Sequence, residues 1–237
     1  ALTFNPGAST LDDAVTLDPG AYALTVGAEV LAYETPAETG ASCDLTVDAS
    51  LTSTADPFFD NLTDAEAAVE DGETICVDAG IYEEDVTVDV PNVTILGIND
   101  PKGVDAATVD GRMDINADGV TVSGLAFTNP DAGYGIVING VDNTLISFNT
   151  FTDIGTSYTG RSAQAIYYDG AADPATGLVI SDNTITGVGS DELFTVTTGS
   201  GSSAKGIFIG DSTSPEALTD VLIQNNVISD VDASDAS

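Results

Sequence analysis

The chain has 237 residues, with 39 Asp plus Glu against four Lys plus Arg, no His and no Trp, and a formal net charge of −35. Four dispersed cations, Lys102, Arg112, Arg161 and Lys205, cannot form the cationic face that phosphate binding needs. Apolar runs such as ILGI and GIVI fall far short of the ~20 residues of a membrane helix, so nucleic-acid partners and membrane insertion are excluded.

A 42% hydrophobic composition separates the chain from disordered acidic tails and allows a real core. The acids are mostly Asp, 29 against 10 Glu. Their short side chains suit turns, and their density beside so few cations predicts high salt or abundant divalent cation, Ca²⁺ above all.

Residues 1–42 read as a β-rich extension ahead of a main domain at 43–237. The start at Ala1, without an initiator Met or an apolar leader, predicts a mature secreted product or an excised piece. Val15–Tyr22 (VTLDPGAY) echoes Ile75–Tyr82 (ICVDAGIY) at an offset of 60 residues. This predicts a partial extra rung, with a chance match as the alternative.

Cys43 and Cys76 are compatible with an oxidising compartment. Alternation turns Cys76 outward between Ile75 and Val77 and turns Cys43 inward with Leu45 and Val47, which does not suit a simple bridge between stacked strands. An intramolecular disulfide is favoured because the N-terminal piece can bend. An intermolecular bond through an exposed Cys76 is the alternative. Asn61-Leu62-Thr63 and Asn92-Val93-Thr94 are glycosylation-type sequons, with Asn61 and Asn92 as acceptors. Between them, Thr63 to Glu66 forms a Thr-x-x-Glu capping box, Ala65, Ala68 and Val69 give a helical apolar stripe, and Gly72 can end the helix. Gly80-Ile81-Tyr82-Glu83-Glu84 then reads as a turn.

From Asn92 onward the chain repeats. NVTILGIND, GVTVSGLAF, NTLISFNTF, GLVISDNTI and DVLIQNNVI superpose without gaps, and the column Ile95, Val122, Ile146, Ile180, Ile223 is wholly β-branched, as inward strand positions favour. Three residues later stands the column Ile98, Leu125, Asn149, Asn183, Asn226. An interleaved series, MDINAD, GIVING, AIYYDG and GIFIGD, alternates like a strand with one buried face. Successive β-branched anchors after Val122 lie 24 to 43 residues apart, and nothing between them reads as a crossover helix. That pattern predicts a parallel β-solenoid whose rungs stack over a shared apolar interior, with the acids coating its outside.

The stretch from Asn61 to Gly97, with its capping helix and Gly-x-Tyr element, together with the SDNTIT and IQNNVIS rungs, resembles the right-handed parallel β-helix proteins of the pectin-lyase-like superfamily. The resemblance covers Leu45 to Val231. It implies an all-β, right-handed parallel β-helix with a short N-terminal capping α-helix. The catalytic elements of the superfamily do not carry over. Asn183-Thr184 is followed by Ile185 rather than Asp, there is no Gly-His element, and neither Arg112 nor Arg161 sits in a matching motif. A chain at −35 also repels acidic sugars unless Ca²⁺ bridges them. Without His there is no Ser or Cys triad, and Gly199-Ser200-Gly201-Ser202-Ser203 lacks the lysine of a phosphate-binding loop and reads as a flexible surface loop.

The Asn column reads as structural, with Asn149, Asn183 and Asn226 in left-handed bends and hydrogen-bonded as a ladder. In the second series, inward Ile136, Ile138, Ile166, Tyr168, Ile207 and Ile209 turn Val137, Tyr167 and Phe208 outward, as one exposed face for a sugar ring or another protein surface; loops folded over that face are the alternative. Asp169, Asp173, Asp191 and Asp211 flank it and are the candidate Ca²⁺ ligands. The plain acid pairs, Asp12-Asp13, Glu83-Glu84 and Asp191-Glu192, read as solvated surface.

The resulting expectation is a non-catalytic extracellular structural protein of surface-layer, sheath, filament or adhesin type. Its partners are copies of itself or other surface proteins, with Ca²⁺ between acidic faces, and the tail Val231–Asp235 is expected to leave an open rung that templates another chain. A secreted carbohydrate-active enzyme, with acids near Tyr167, or a glycan-binding module is the alternative.

Overall fold

The computed structural model describes residues 22–26, 29–33, 42–51, 55–99, 101–103, 106–158, 162–170, 175–190, 203–210 and 218–233. The chain divides into two compact units, Ala1–Ser42 and Cys43–Ser237. In the first, β1 (Tyr22–Val26) and β2 (Glu29–Tyr33) pair antiparallel as a two-stranded sheet. The segment read as an extra rung lies, apart from Tyr22, outside the described residues.

The second unit is a parallel β-helix. Its opening elements are β3 (Leu45–Val47), β4 (Phe58–Phe59) and the helix α1 (Leu62–Glu66). Three-stranded rungs follow: β5 (Thr74–Val77), β6 (Gly80–Tyr82) and β7 (Val86–Val88); β8 (Thr94–Gly97), β9 (Ala107–Asp110) and β10 (Met113–Ile115); β11 (Thr121–Ser123), β12 (Ala126–Asn129) and β13 (Tyr134–Asn139). Then come β14 (Leu145–Ser147), β15 (Thr150–Ile154) and β16 (Ser162–Asp169), next β17 (Val179–Ser181), β18 (Thr184–Ser190) and β19 (Ser203–Gly210), and last β20 (Leu222–Gln224) and β21 (Val227–Ala233). Strands at equivalent positions stack into parallel sheets of eight, six and five strands. The sequence predicts two strands per repeat. The third comes from the short runs Ala126-Phe127-Thr128, Thr150-Phe151-Thr152 and Thr184-Ile185-Thr186, which follow the bend directly and form β12, β15 and β18.

The interior is built from columns of like residues. Ile75, Ile95, Val122, Ile146 and Ile180 stand in register and are fully buried. Met113, Ile136 and Ile166 form a second buried column. Phe127 stacks on Phe151 with ring centroids 5.0 Å apart. Each such side chain contributes roughly 1.5–3 kcal/mol on burial. On the last rung the equivalent Ile223 and Ile228 are about half exposed, at 46% and 47%.

At the other end, α1 packs Leu62, Ala65 and the following Val69 into the core, whereas Ala68 is exposed. The N-cap is Asn61, not Thr63: Asn61 Oδ1 accepts from the Asp64 amide at 2.7 Å. Thr63 is drawn instead to Glu84, whose carboxylate accepts from the amides of Leu62 (2.7 Å) and Thr63 (2.9 Å) and from the Thr63 hydroxyl. Glu66 closes no capping box. Its Oε1 accepts from the Asp89 amide at 2.8 Å, tying the helix to the first rung. Of the expected turn Gly80–Glu84, Gly80–Tyr82 is a strand, β6, and the chain bends only at Glu83-Glu84. A Cβ on Gly80 would lie 2.8 Å from Ala49 Cβ, and the buried Tyr82 hydroxyl donates to Asp78 O at 2.8 Å.

Cys43 and Cys76 form a disulfide. Cys43 is exposed rather than inward, because β3 begins only at Leu45 and the chain is still turning before it. The pairing therefore never has to cross the strand.

Asn149, Asn183 and Asn226 form the ladder. Asn149 Nδ2 donates to Asn183 Oδ1 (3.2 Å), and Asn183 Nδ2 to Asn226 Oδ1 (2.9 Å). Each Asn also donates to a carbonyl of the preceding rung: Val122, Ile146 and Ile180, all at 2.9 Å. The left-handed residue is not the ladder Asn but the one before it: Gly124 (φ 73°), Phe148 (56°), Asp182 (58°) and Asn225 (55°). Acids do not coat the sheets evenly. The strands of the eight-stranded sheet contain no charged residue, and most acids lie in the connections.

Candidate functional site

The face singled out by the sequence is the outer side of the five-stranded sheet, β7, β10, β13, β16 and β19. Register places Asp114 beside Val137, Val137 beside Tyr167, and Tyr167 beside Phe208. The structure brings these residues together, but Val137 is buried at 7% exposure, while Tyr167 and Phe208 are partly exposed. The rings of Tyr167 and Phe208 stack with centroids 5.4 Å apart at 11°. Tyr134 stacks on the other side of Tyr167 at 5.8 Å.

Tyr134 escapes the alternation rule because β13 carries two consecutive inward residues. A Cβ on Gly135 would meet the Phe151 ring, and Ile136 is core. The pairing with β16 holds one register through this point, Tyr134↔Gln164 and Ile136↔Ile166, because β16 has its own consecutive buried pair, Ala165 and Ile166. A Gly beside a β-branched residue was the only signal available. The stack has a consequence for recognition. A sugar ring binds against an aromatic face, and here the faces of Tyr167 are occupied by Tyr134 and Phe208, leaving ring edges to project from the sheet.

Charges surround this stack. Lys205 Nζ lies 4.2 Å from the Phe208 ring centroid and donates to Ser203 Oγ at 3.0 Å. Arg112 donates to Asp114 Oδ2 through Nε (2.8 Å) and Nη2 (2.7 Å). Asp169 Oδ1 accepts from the Tyr167 hydroxyl at 2.8 Å. Burial, reinforced by the nearby Tyr158 and partly offset by Arg112, raises the Tyr134 hydroxyl above its ordinary range. Gln164 is 3% exposed, and among the described residues its Oε1 has no hydrogen-bond partner.

Of the acids proposed as Ca²⁺ ligands, Asp169 is engaged by Tyr167, and Asp173, Asp191 and Asp211 lie outside the described residues. Among the described residues no group of three His, Cys, Asp or Glu side chains could hold a metal ion. Gly199 to Ser202 of the Gly-Ser run also lie outside them. Both sequon asparagines are engaged. Asn61 Nδ2 donates to Asp60 Oδ1 (2.8 Å) and Asp64 Oδ2 (3.0 Å), and Asn92, at φ 57°, donates to Asp71 Oδ1 (2.7 Å).

Two shallow clefts lie elsewhere. One, of about 360 Å³, runs between Lys102 and the hydroxyl-bearing Thr108, Thr128, Thr150 and Thr152 on the six-stranded sheet. The other, of about 390 Å³, is acidic, with Asp60, Asp64, Glu83 and Glu84 beside α1. Glu84 there is committed to the helix N-terminus.

The chain matches no protein-family model, no curated protein and no solved structure.

Proposed function

We propose that this chain is a non-catalytic extracellular structural protein, a stiff acidic β-helix of surface-layer, sheath, filament or adhesin type that associates with copies of itself. The observation that carries this reading is that polar and aromatic ladders tie one rung to the next at several positions around the coil. The Asn149–Asn183–Asn226 ladder runs along one bend, Asp89–Asn116–Asn139 along another, and Asp118 and Asp142 each accept an amide of the next rung at 2.8 Å. Such ladders resist shear between rungs and serve a protein that carries load or keeps a spacing. The Cys43–Cys76 disulfide is compatible with an oxidising, extracellular setting.

Electron microscopy and sedimentation across NaCl and Ca²⁺ concentrations test the reading. Ordered assemblies or reversible oligomers are expected at high salt or with Ca²⁺, and a monomer under every condition overturns it. The second reading, a glycan-binding module or carbohydrate-active enzyme, is supported by the partly exposed edges of Tyr134, Tyr167 and Phe208 beside Asp169. It requires binding or turnover in a polysaccharide panel that Asp169→Asn or Tyr167→Ala weakens.

A further inference from the structure

Charge is distributed unequally over the three sheets. The five-stranded sheet carries Asp114, Asp169 and Lys205 in its strands, and the six-stranded sheet carries Asp110, Asp153, Asp230 and Asp232. The eight-stranded sheet carries none. Its outward columns hold Thr121, Leu145 and Val179 in register, with Cys76, Leu96, Ser123 and the buried Ser147 beside them, Cys76 being covered at one end of the sheet by its disulfide to Cys43. Just past β14, and bordering this face, stands Phe148, 46% exposed and at φ 56°. Its counterparts on neighbouring rungs are Gly124, Asp182 and Asn225, types that tolerate the left-handed region, whereas a bulky aromatic there is an outlier.

We propose that the outer face of the eight-stranded sheet, with Phe148 at its rim, is the surface through which two copies of this chain pair face to face. The inference rests on the self-association reading above and names its surface. At a net charge of −35, two copies repel wherever connections or charged strands approach each other. Only on this sheet can two strand faces stack, about 10 Å apart, without opposing carboxylates on the strands themselves. A two-fold arrangement makes the contact self-complementary, with Leu145 and Val179 of each copy facing those of the other. Eight strands at ~4.8 Å spacing give a strip only ~34 Å long and about three residues wide. That is less than the ~800 Å² per partner of a standard interface, so the pairing is weak, reversible and strengthened by salt that screens the flanking acids.

Sedimentation velocity of the full chain over a concentration series, at low and high NaCl, tests this with Val179→Glu and Phe148→Gly. Wild type associates at high salt, and each variant associates about tenfold or more weakly. The unfolding midpoint of Phe148→Gly does not fall, because Gly suits φ 56°. Wild-type association that both variants retain overturns this surface and leaves self-association standing. The same holds for association lost only in Tyr167→Ala, which moves the contact to the five-stranded sheet. A monomeric wild type at every salt overturns both readings. A monomer that retains a neutral polysaccharide, and loses it in Val179→Glu, makes a glycan the occupant and overturns pairing.

Discussion

Replacing Asn183 by Ala removes the central member of the Asn ladder. Its Oδ1 accepts from the Asn149 backbone amide (2.9 Å) and from Asn149 Nδ2 (3.2 Å), while its Nδ2 donates to Ile146 O and Asn226 Oδ1, both at 2.9 Å. After the change, Asn149 Nδ2 still has Val122 O, and Asn226 Oδ1 still has the Asn183 amide at 3.0 Å. The group left stranded is the amide of Asn149, a residue 1% exposed. An orphaned buried donor costs about 1–3 kcal/mol, and the void left by the shortened side chain adds about 1. A loss near 3 kcal/mol is therefore expected, or roughly 6–12 °C in the melting midpoint for a chain of this size.

Asn226→Ala is the internal control. The amide it strands, on Asn183, belongs to a residue as buried as Asn149, but its acceptor lies on the open last rung in a part-buried contact. Removing the Asn226 side chain therefore lets water replace the lost acceptor, and a loss of about 1 kcal/mol is expected. Urea titration monitored by circular dichroism, together with amide exchange at Asn149, reads both effects. Equal losses in the two variants, or less than about 1 kcal/mol for Asn183→Ala, would refute the idea that the ladder works by satisfying buried backbone amides.

Two further outcomes follow from covalent and titrating groups. Cys43→Ala opens a loop of 33 residues, and chain entropy puts the loss at about 3–4 kcal/mol; a shift in urea midpoint that reductant reproduces in wild type and not in the variant checks it. Burial pushes the Tyr82 hydroxyl up to about 12 from 10.0. The fold thus favours the neutral phenol, and the associated stability is intact below pH 10 and lost between pH 10 and 12. Allowing for solvent screening, this amounts to about 1–2 kcal/mol. Tyr82→Phe flattens that segment of the stability profile in alkaline urea titrations, and an unchanged slope rules the assignment out.

The solenoid was legible because its core columns are chemically uniform: Ile95, Val122, Ile146 and Ile180 recur on one inward position and occupy one register. The third strand of each rung was not. Runs such as Thr150-Phe151-Thr152 offer a single inward residue between two hydroxyls, too short for alternation to register. Assigning left-handed geometry to the ladder Asn missed by one position, since a buried amide and a bend residue are adjacent tasks and Phe148 carries no bend signature. The aromatic column was read from alternation and stands in register, but its third ring, Tyr134, lay hidden behind the two inward residues Gly135 and Ile136. The helix cap moved from Thr63 to Asn61 because Glu84, 21 residues away, claims the Thr63 hydroxyl, a partner local pattern cannot supply.

The bulge in the six-stranded sheet bears on how this chain can diverge. Between β12 and β15 the register slips at Thr128 and Asn129, leaving Asp153 as an extra residue. The next two rungs repeat the insertion with Gly187 and Asp230, and Asp153, Gly187 and Asp230 have φ of 56°, 70° and 50°. A Cβ on Gly187 would lie 2.8 Å from Asp153 Oδ1, so the inserted residues nest. Deleting one alone would break its nesting with the bulged strand beside it, while the flanking Thr152 and Ile154, or Thr186 and Val188, would keep their outward and inward faces. Most of the growth of the repeat from 24 to 43 residues falls in the connections after β15, β16, β18 and β19, and the rest in the longer strands β15, β16, β18 and β19. Those connections are the sites where foreign sequence could be grafted without disturbing the coil.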